Sequence, residues 1–172
     1  GAVRGFGAAA VLGYLAFLGR ASLTRGDVHL CVCPLYHSTG LGFASISLMM
    51  GASVVIQRDF NPERFLATVE AERVTTTALV PTMLHRLMAV DEATHARHDT
   101  RSLRVLLCGG AQLPPTLGAR TLQRFGPVLY NFYGATETGL VTVAGPADLR
   151  ASPGTIGRVV PGQELRLLDE EG

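Results

Sequence analysis

The sequence predicts an α/β fold, a mostly parallel sheet with crossover helices, and three observations carry that expectation. Short β-branched or apolar runs bounded by turn residues alternate with helical stretches, the pattern of parallel strands joined by crossover connections. Hydrophobic residues make up 47% of the 172 residues, which argues for a packed core and against disorder. The formal net charge is +1 and the charges are scattered, so there is no basic stripe to neutralise a run of phosphates, and nucleic acid is not an expected partner.

Taken in order, the first candidate element is GFGAAAVLGYLAFLG, 15 uncharged residues between Arg4 and Arg20. It is short of the roughly 20 residues a membrane span needs and has no clear cleavage pattern, so it reads as a buried helix, with no transmembrane segment expected. GFGAAA formally fits a dinucleotide fingerprint, but no strand precedes it to aim the turn, and close helix packing explains the small residues better. Strands are expected over residues 28–33, 53–57, 76–80, 104–108 and 127–131, with helices over 41–50, 62–72, 82–90 and 115–125. The second of these helices has a clear start: Asn61 as cap, Pro62 at the first position, Glu63 at the positive end of the dipole. The polar stretch 91–102 (DEATHARHDTRS) has no apolar period and reads as an exposed loop. After Gly139 the chain breaks into short runs (141–144, GTIGRVVPG at 154–162, and 164–168) punctuated by Gly and Pro. Residues 1–140 are therefore expected to form an α/β subdomain, and 141–172 the truncated start of a small β-rich one.

Cys31, Cys33 and Cys108 sit in apolar runs and read as reduced, buried thiols of a cytoplasmic protein. Cys31 and Cys33 have the wrong spacing for a zinc CxxC, and His85, His95 and His98 lack a neighbouring Cys, so solvated histidines are expected rather than a metal site. All 15 positive residues are Arg, so no Lys here can supply a phosphate contact or a nucleophilic amine.

The sharpest segment is YNFYGATETG at residues 130–139, which places aromatic rings, a flexible Gly, threonine hydroxyls and a carboxylate directly after an apolar strand. Ligands of open α/β sheets bind at such strand ends. An aromatic face can stack on a base, Gly134 permits close backbone approach, a Thr hydroxyl can donate to a phosphate oxygen, and a carboxylate can hold Mg²⁺. These features suit a nucleoside triphosphate, and equally a polar turn with Glu137 solvated.

NFYGATE is similar to the YGxTE signature of the adenylate-forming superfamily, which includes acyl- and aryl-CoA synthetases, luciferases and peptide-synthetase adenylation domains. Other landmarks follow the family's order. PLYHSTG at 34–40 resembles the acyl-site segment with its His, and TTTALVPTMLHRL at 75–87 resembles the strand and helix start that come next. GGAQLP at 109–114 resembles the nucleotide-side turn, and GTIGRVVPG the turn-rich stretch beyond YGxTE. The resemblance covers nearly the whole chain.

What it implies is an acyl-CoA synthetase of the fatty-acid–CoA ligase kind, using ATP, Mg²⁺ and CoA on a small-molecule carboxylic acid. Tyr133 would stack on adenine, with Asn131, Phe132 and the Gly109, Gly110 and Ala111 backbone near it. Gly134 and Thr136 would meet the nucleotide, and Glu137 the metal. His37, with Gly40 and Gly134 nearby, would lie beside the acid's carboxylate, orienting the attacking oxygen or gating the pocket. The stretch 40–50 (GLGFASISLMM) is compatible with lining a pocket for an aliphatic tail and with ordinary core.

The opening GAVRG resembles the residues that follow the family's phosphate loop and its Pro-Lys-Gly step, so the chain is expected to start just after that loop. The family's ribose-binding Asp, hinge and catalytic Lys have no counterpart before Gly172. A piece lacking them is expected to be inactive alone, and a sheet lacking its neighbours is expected to expose apolar surface and self-associate. Alternatives are a fatty acyl-AMP ligase or adenylation domain that passes the acyl group to a carrier protein, and a non-catalytic nucleotide- or acyl-binding module. A cytoplasmic location, with peripheral membrane attachment left open, completes the expectation.

Overall fold

A computed structural model describes residues 23–167 and 169. The helix expected over residues 5–19 lies outside the described residues. Among these residues seven strands form one sheet: β1 (Val28–Cys31), β2 (Ser53–Ile56), β3 (Thr76–Leu79), β4 (Val105–Cys108), β5 (Leu129–Ala135), β6 (Gly139–Ala144) and β7 (Arg158–Val159). Their order is β2-β1-β3-β4-β5-β6-β7. The first five run parallel, while β6 is antiparallel to β5 and β7 to β6. The α/β expectation is borne out.

Among the described residues, six helices connect or flank the strands: α1 (Ser38–Met49), α2 (Pro62–Ala71), α3 (Pro81–Met88), α4 (Glu92–Ala96), α5 (Pro115–Phe125) and α6 (Pro146–Ala151). Strand order reverses at β1, because β2 lies on one side of it and β3 on the other. Connections of one handedness must then place the β1–β2 crossover on the opposite face from the β2–β3 crossover. Two apolar clusters record this. Phe65 and Leu66 of α2, Leu84 and Leu87 of α3, Leu117 of α5 and Leu149 of α6 pack with Leu30, Leu106 and Leu129 on one face. Phe43 of α1, with Ile46 and Met50, packs with Ala78, Val105, Leu107 and Val143 on the other. In β4 the side chains alternate between the two clusters and all four are buried, as a strand covered on both faces requires.

Local chemistry accounts for the helix starts. Asn61 accepts a hydrogen bond from the Arg64 amide at 2.9 Å, and Pro follows the cap at α2, α3, α5 and α6, where its missing N–H costs nothing. The stretch read as an exposed loop contains α4 instead. Asp91 caps it, accepting from the Thr94 amide at 2.8 Å, and Thr94 and His95 are buried. His95 Nε2 lies 3.1 Å from the Leu87 carbonyl and His98 Nδ1 lies 3.1 Å from Glu70. These two histidines are therefore structural contacts rather than solvated ones, whereas His85 is exposed.

β5 runs four residues beyond its expected end, through Ala135, because β6 folds back to pair with it from Asn131 to Ala135. The stretch after Gly139 thus adds β6 and β7 to the same sheet, and residues 164–167 form no strand. No described helix is long and apolar enough to cross a membrane. The three cysteines are free and buried.

Candidate functional site

A cleft of about 870 Å³ opens at the C-terminal ends of β1, β3, β4 and β5, beside the point where strand order reverses and where open α/β sheets leave a crevice. Three pieces of chain build it.

The first follows β1. Pro34 to His37 makes a turn in which the His37 amide donates to the Pro34 carbonyl at 3.0 Å, and the His37 carbonyl accepts from Leu41 at 3.0 Å. His37 is the N-cap of α1, in extended conformation, and its side chain makes no capping bond. The imidazole is exposed and lines the cleft with Ser38 and Thr39. No acidic residue occupies the first turn of α1, so its partial positive charge is not offset from within that turn. α1 starts three residues earlier than expected. Gly40 explains how it packs so closely: a Cβ there would overlap the Pro34 carbonyl and come within 2.6 Å of the Cys33 carbonyl. Gly40 is buried in that contact, and it is not among the residues that line the cleft.

The second piece is the β5–β6 hairpin, with Thr136, Glu137 and Thr138 at its tip. Gly139 closes the loop at φ 68°, the left-handed geometry that a three-residue hairpin loop calls for and that glycine adopts freely. A Cβ on Gly134 would overlap the Gly139 carbonyl, so the glycine permits close approach of the hairpin to itself. The Ala135 amide donates to Thr138 Oγ1 at 3.1 Å, and Gln163 Nε2 donates to the Thr138 carbonyl at 3.3 Å. Thr136 Oγ1 donates to Ser38 Oγ at 3.2 Å, tying the tip to the start of α1. Gly134, Thr136 and Glu137 all line the cleft. Glu137 is exposed and makes no hydrogen bond or ion pair with a described residue.

The third piece is the turn after β4. Cys108 pairs with Asn131, so the Gly109–Ala111 turn leaves the sheet alongside Phe132 and Tyr133. Gly109 is buried under the Phe132 ring, which a Cβ would meet at 2.5 Å. Gly110 has φ +82° and lines the cleft. Phe132 lines it too, edge-on to Phe43 with ring centroids 5.4 Å apart. Tyr133, 52% exposed, projects from the opposite face of β5. Asn131 is buried and donates to the Thr155 carbonyl at 2.9 Å, and Ala111 is exposed on the turn.

His37, Gly110, Phe132, Gly134, Thr136 and Glu137 therefore share one cleft, while Gly40, Gly109, Ala111, Asn131 and Tyr133 flank or support it. The reading of sequence missed Ser38, which a hydroxyl directly after the His could have suggested. It also missed the apolar contributions of Cys33, Val80, Met83 and Leu140, which come from separate elements and have no linear signal, whereas Phe43 falls in the 40–50 stretch read as compatible with a pocket wall. Burial pushes the Cys33 thiol up to about 11 and the Cys108 thiol up to about 12, so both behave as apolar side chains rather than nucleophiles.

Among the described residues no Arg lines the cleft, and no cluster of three or more His, Cys, Asp or Glu could hold a metal. A lone unpartnered carboxylate beside a threonine hydroxyl nevertheless fits Mg²⁺, which commonly takes one or two protein carboxylates and completes its shell with phosphate oxygens and water.

The sequence profile of the family described as "AMP-binding enzyme" matches residues 7–172. The chain is similar to an acyl-CoA ligase, AFT1-1, of Alternaria alternata, 35% identical over 150 residues, covering 85% of this chain and 25% of the relative. It is similar to an indoleacetate–CoA ligase of Aromatoleum aromaticum, 34% identical over 152 residues, covering 87% and 29%. Its fold matches the amide bond synthetase McbA of Marinactinospora thermotolerans with a TM-score of 0.79 at 29% identity, over 94% of this chain and 33% of that one. It thus spans about a quarter to a third of the proteins it resembles. With a profile match over nearly its whole length and the landmark segments gathered round one cleft, the chain belongs to the adenylate-forming, AMP-binding enzyme family.

Proposed function

We propose that this chain carries the acid-binding and part of the nucleotide-binding surface of an ATP-dependent acid–thiol ligase. In the first step a carboxylate oxygen attacks the α-phosphorus of ATP, the bond to the β-phosphate oxygen breaks, and pyrophosphate leaves. In the second, the sulfur of CoA attacks the acyl carbon, AMP leaves, and the thiol proton passes to solvent. The observation that carries the proposal is the contact of Thr136 with Ser38. It joins the hairpin tip proposed to hold phosphate to the helix start proposed to hold carboxylate, the two groups that must meet.

In this reading the free amides of α1 and the His37 imidazole receive the acid's carboxylate. Thr136 donates to the α-phosphate, and Glu137 holds Mg²⁺, which would offset charge as pyrophosphate departs. Tyr133, the Gly109–Ala111 turn, Phe132 and Asn131 form or support the adenine shelf. The buried cysteines fit a reducing compartment such as the cytoplasm.

Substrate class follows from the lining. Among the described residues, His37 and Glu137 are the only ionisable side chains on the cleft wall besides the Cys33 thiol, and the wall also holds Phe43, Val80, Met83, Phe132 and Leu140. An acid with a neutral apolar tail, fatty or medium-chain, suits it. A second reading, an aryl acid, is favoured by the paired rings of Phe43 and Phe132 and by the indoleacetate named for one relative.

The acceptor is proposed as CoA on the strength of relatives such as the two CoA ligases named above. Residues 1–172 alone are proposed to be inactive, because no Arg among the described residues lines the cleft and no Lys exists in the chain to balance a triphosphate. Exposed Leu41, Leu48 and Met49 on α1 favour self-association of that piece, which size-exclusion chromatography would reveal.

The test is acid-dependent ATP–pyrophosphate exchange by the full-length protein across a panel of acids, with residues 1–172 as a second sample. Exchange by the full-length protein and none by the piece is expected. Exchange with no acid would overturn the ligase reading, and exchange by the piece would overturn its proposed inactivity.

A further inference from the structure

Beyond β7 the chain turns back towards the hairpin tip. Val160 continues the pairing with β6, its amide donating to the Val141 carbonyl at 2.9 Å, and its side chain is buried in the cluster that holds Leu140 and Val143. Pro161 and Gly162 then reverse the chain. Gly162 has φ 86° and the Gln163 amide donates to the Val160 carbonyl at 3.2 Å, the arrangement of a type II turn with Pro and Gly at its central positions. A turn fixed at one end by a buried valine sets where residue 163 begins. From there the Gln163 side chain reaches the loop between β5 and β6, its Nε2 donating to the Thr138 carbonyl at 3.3 Å.

Two side-chain ties thus hold the tip, one from Ser38 to Thr136 and one from Gln163 to Thr138. They differ in what a bound nucleotide does to them. The Thr136 hydroxyl carries one proton, and in the ligase reading that proton goes to the α-phosphate, so Thr136 no longer donates to Ser38. The tie to Gln163 ends on a main-chain carbonyl, an acceptor with no part in holding phosphate, and it persists while Thr136 and Glu137 engage the nucleotide.

We propose that Gln163 is a positioning residue for the adenylation step, its amide holding the 136–138 loop in place so that Thr136 and Glu137 meet the nucleotide already ordered. The proposal rests on the ligase reading of this cleft. Ordering the loop beforehand removes that entropy loss from the barrier, so the effect belongs in kcat. Gln163 does not line the cleft, and the affinity for the acid is outside its reach.

The experiment uses the full-length protein and compares wild type with Gln163→Met, which keeps the length and loses the donor, and Gln163→Lys, which keeps a donor. It reads kcat and the KM for the acid in pyrophosphate exchange with octanoate and with phenylacetate. With no substrate present, it also reads deuterium uptake at the amides of residues 135–139. In Gln163→Met, kcat should fall roughly five-fold with both acids, the scale of one hydrogen bond, while the KM for each acid stays within about two-fold. Deuterium uptake at residues 135–139 should rise in the same variant. Gln163→Lys should bring kcat back to within about two-fold of wild type. An unchanged kcat in Gln163→Met, an equal loss in Gln163→Lys, or a rise in the KM for the acid that matches the fall in kcat overturns the role of Gln163 and leaves the ligase reading in place. Unchanged deuterium uptake in Gln163→Met does the same, since the tie would then not hold the loop. Wild type that exchanges pyrophosphate with no acid overturns both.

Discussion

Glu137 and His37 line one cleft, one at a hairpin tip and one at a helix start, and the proposed chemistry separates their effects. Glu137 is unpartnered among the described residues, so Glu137→Gln removes a charge without breaking a protein contact. Its expected consequence in the full-length protein is a fall in adenylation rate of roughly 10²-fold or more, the scale for one preorganised electrostatic contact. Pyrophosphate exchange unchanged by that substitution would rule out the metal role. His37→Ala should raise the KM for the acid far more than the KM for ATP, because the imidazole lines the cleft at the start of α1, where the acid's carboxylate is proposed to sit. Equal losses in both constants would place it elsewhere. The side chain of His37 makes no capping bond, so α1 should be preserved in that variant, and far-ultraviolet circular dichroism checks it.

At the scale of elements, the β5–β6 hairpin is the piece whose shape the site depends on most. Gly134 lies at a register shift in the pairing, where a Cβ would overlap the Gly139 carbonyl. Gly134→Ala should therefore push the two strands apart at the tip. Overpacking of this kind costs about 1–3 kcal/mol, and it should weaken the 3.2 Å contact of Thr136 with Ser38. The expected outcome is a folded protein with a lower melting temperature and a loss of exchange activity larger than the loss of stability explains. Full activity in that variant would show that the hairpin tip need not hold its position. By contrast, α2 has its start written locally in Asn61, Pro62 and Glu63, and its observed start at Pro62 agrees with that reading because each contribution comes from the residue itself or its immediate neighbours.

For the molecule as a whole, the base of the sheet carries a buried polar cluster that should govern acid stability. Asp27 accepts hydrogen bonds from the Thr24 amide at 2.7 Å, from Thr75 Oγ1 at 2.6 Å and from Arg104 at 2.6 Å. Burial opposes its ionisation, yet these bonds and the Arg104 charge hold its carboxyl below the usual carboxylate range. His29, beside it, is buried with Nδ1 2.9 Å from Thr76 Oγ1, and burial brings its imidazole down from 6.5 to about 4, with Asp27 opposing. Between those two values the unfolded chain binds a proton that the folded chain does not, so stability falls as pH drops from 6.5 towards 4. The full shift corresponds to about 3 kcal/mol. The Asp27 contribution is present above its unfolded value of about 3.8 and is lost only below it. Urea unfolding between pH 7 and 4.5 should show this slope in wild type, and His29→Asn, which cannot titrate but can still bond Thr76, should flatten it. A slope of the same size in both proteins would assign the acid sensitivity to other groups.

The alternation of apolar runs and turns was enough to determine the parallel α/β core, since strands covered on both faces must be continuously apolar and their crossovers must be helical. The capped or proline-led starts of α2 and α5 were equally legible, because these depend on residues adjacent in the chain. What only the tertiary structure decided depends on partners far away in sequence. The extension of β5 to Ala135 needed β6 to pair with it, the burial of His95 needed the Leu87 carbonyl, and Asn131 was drawn away from the cleft by Thr155. The apolar cleft wall belongs to the same class, because it is a property of elements brought together and no single segment encodes it.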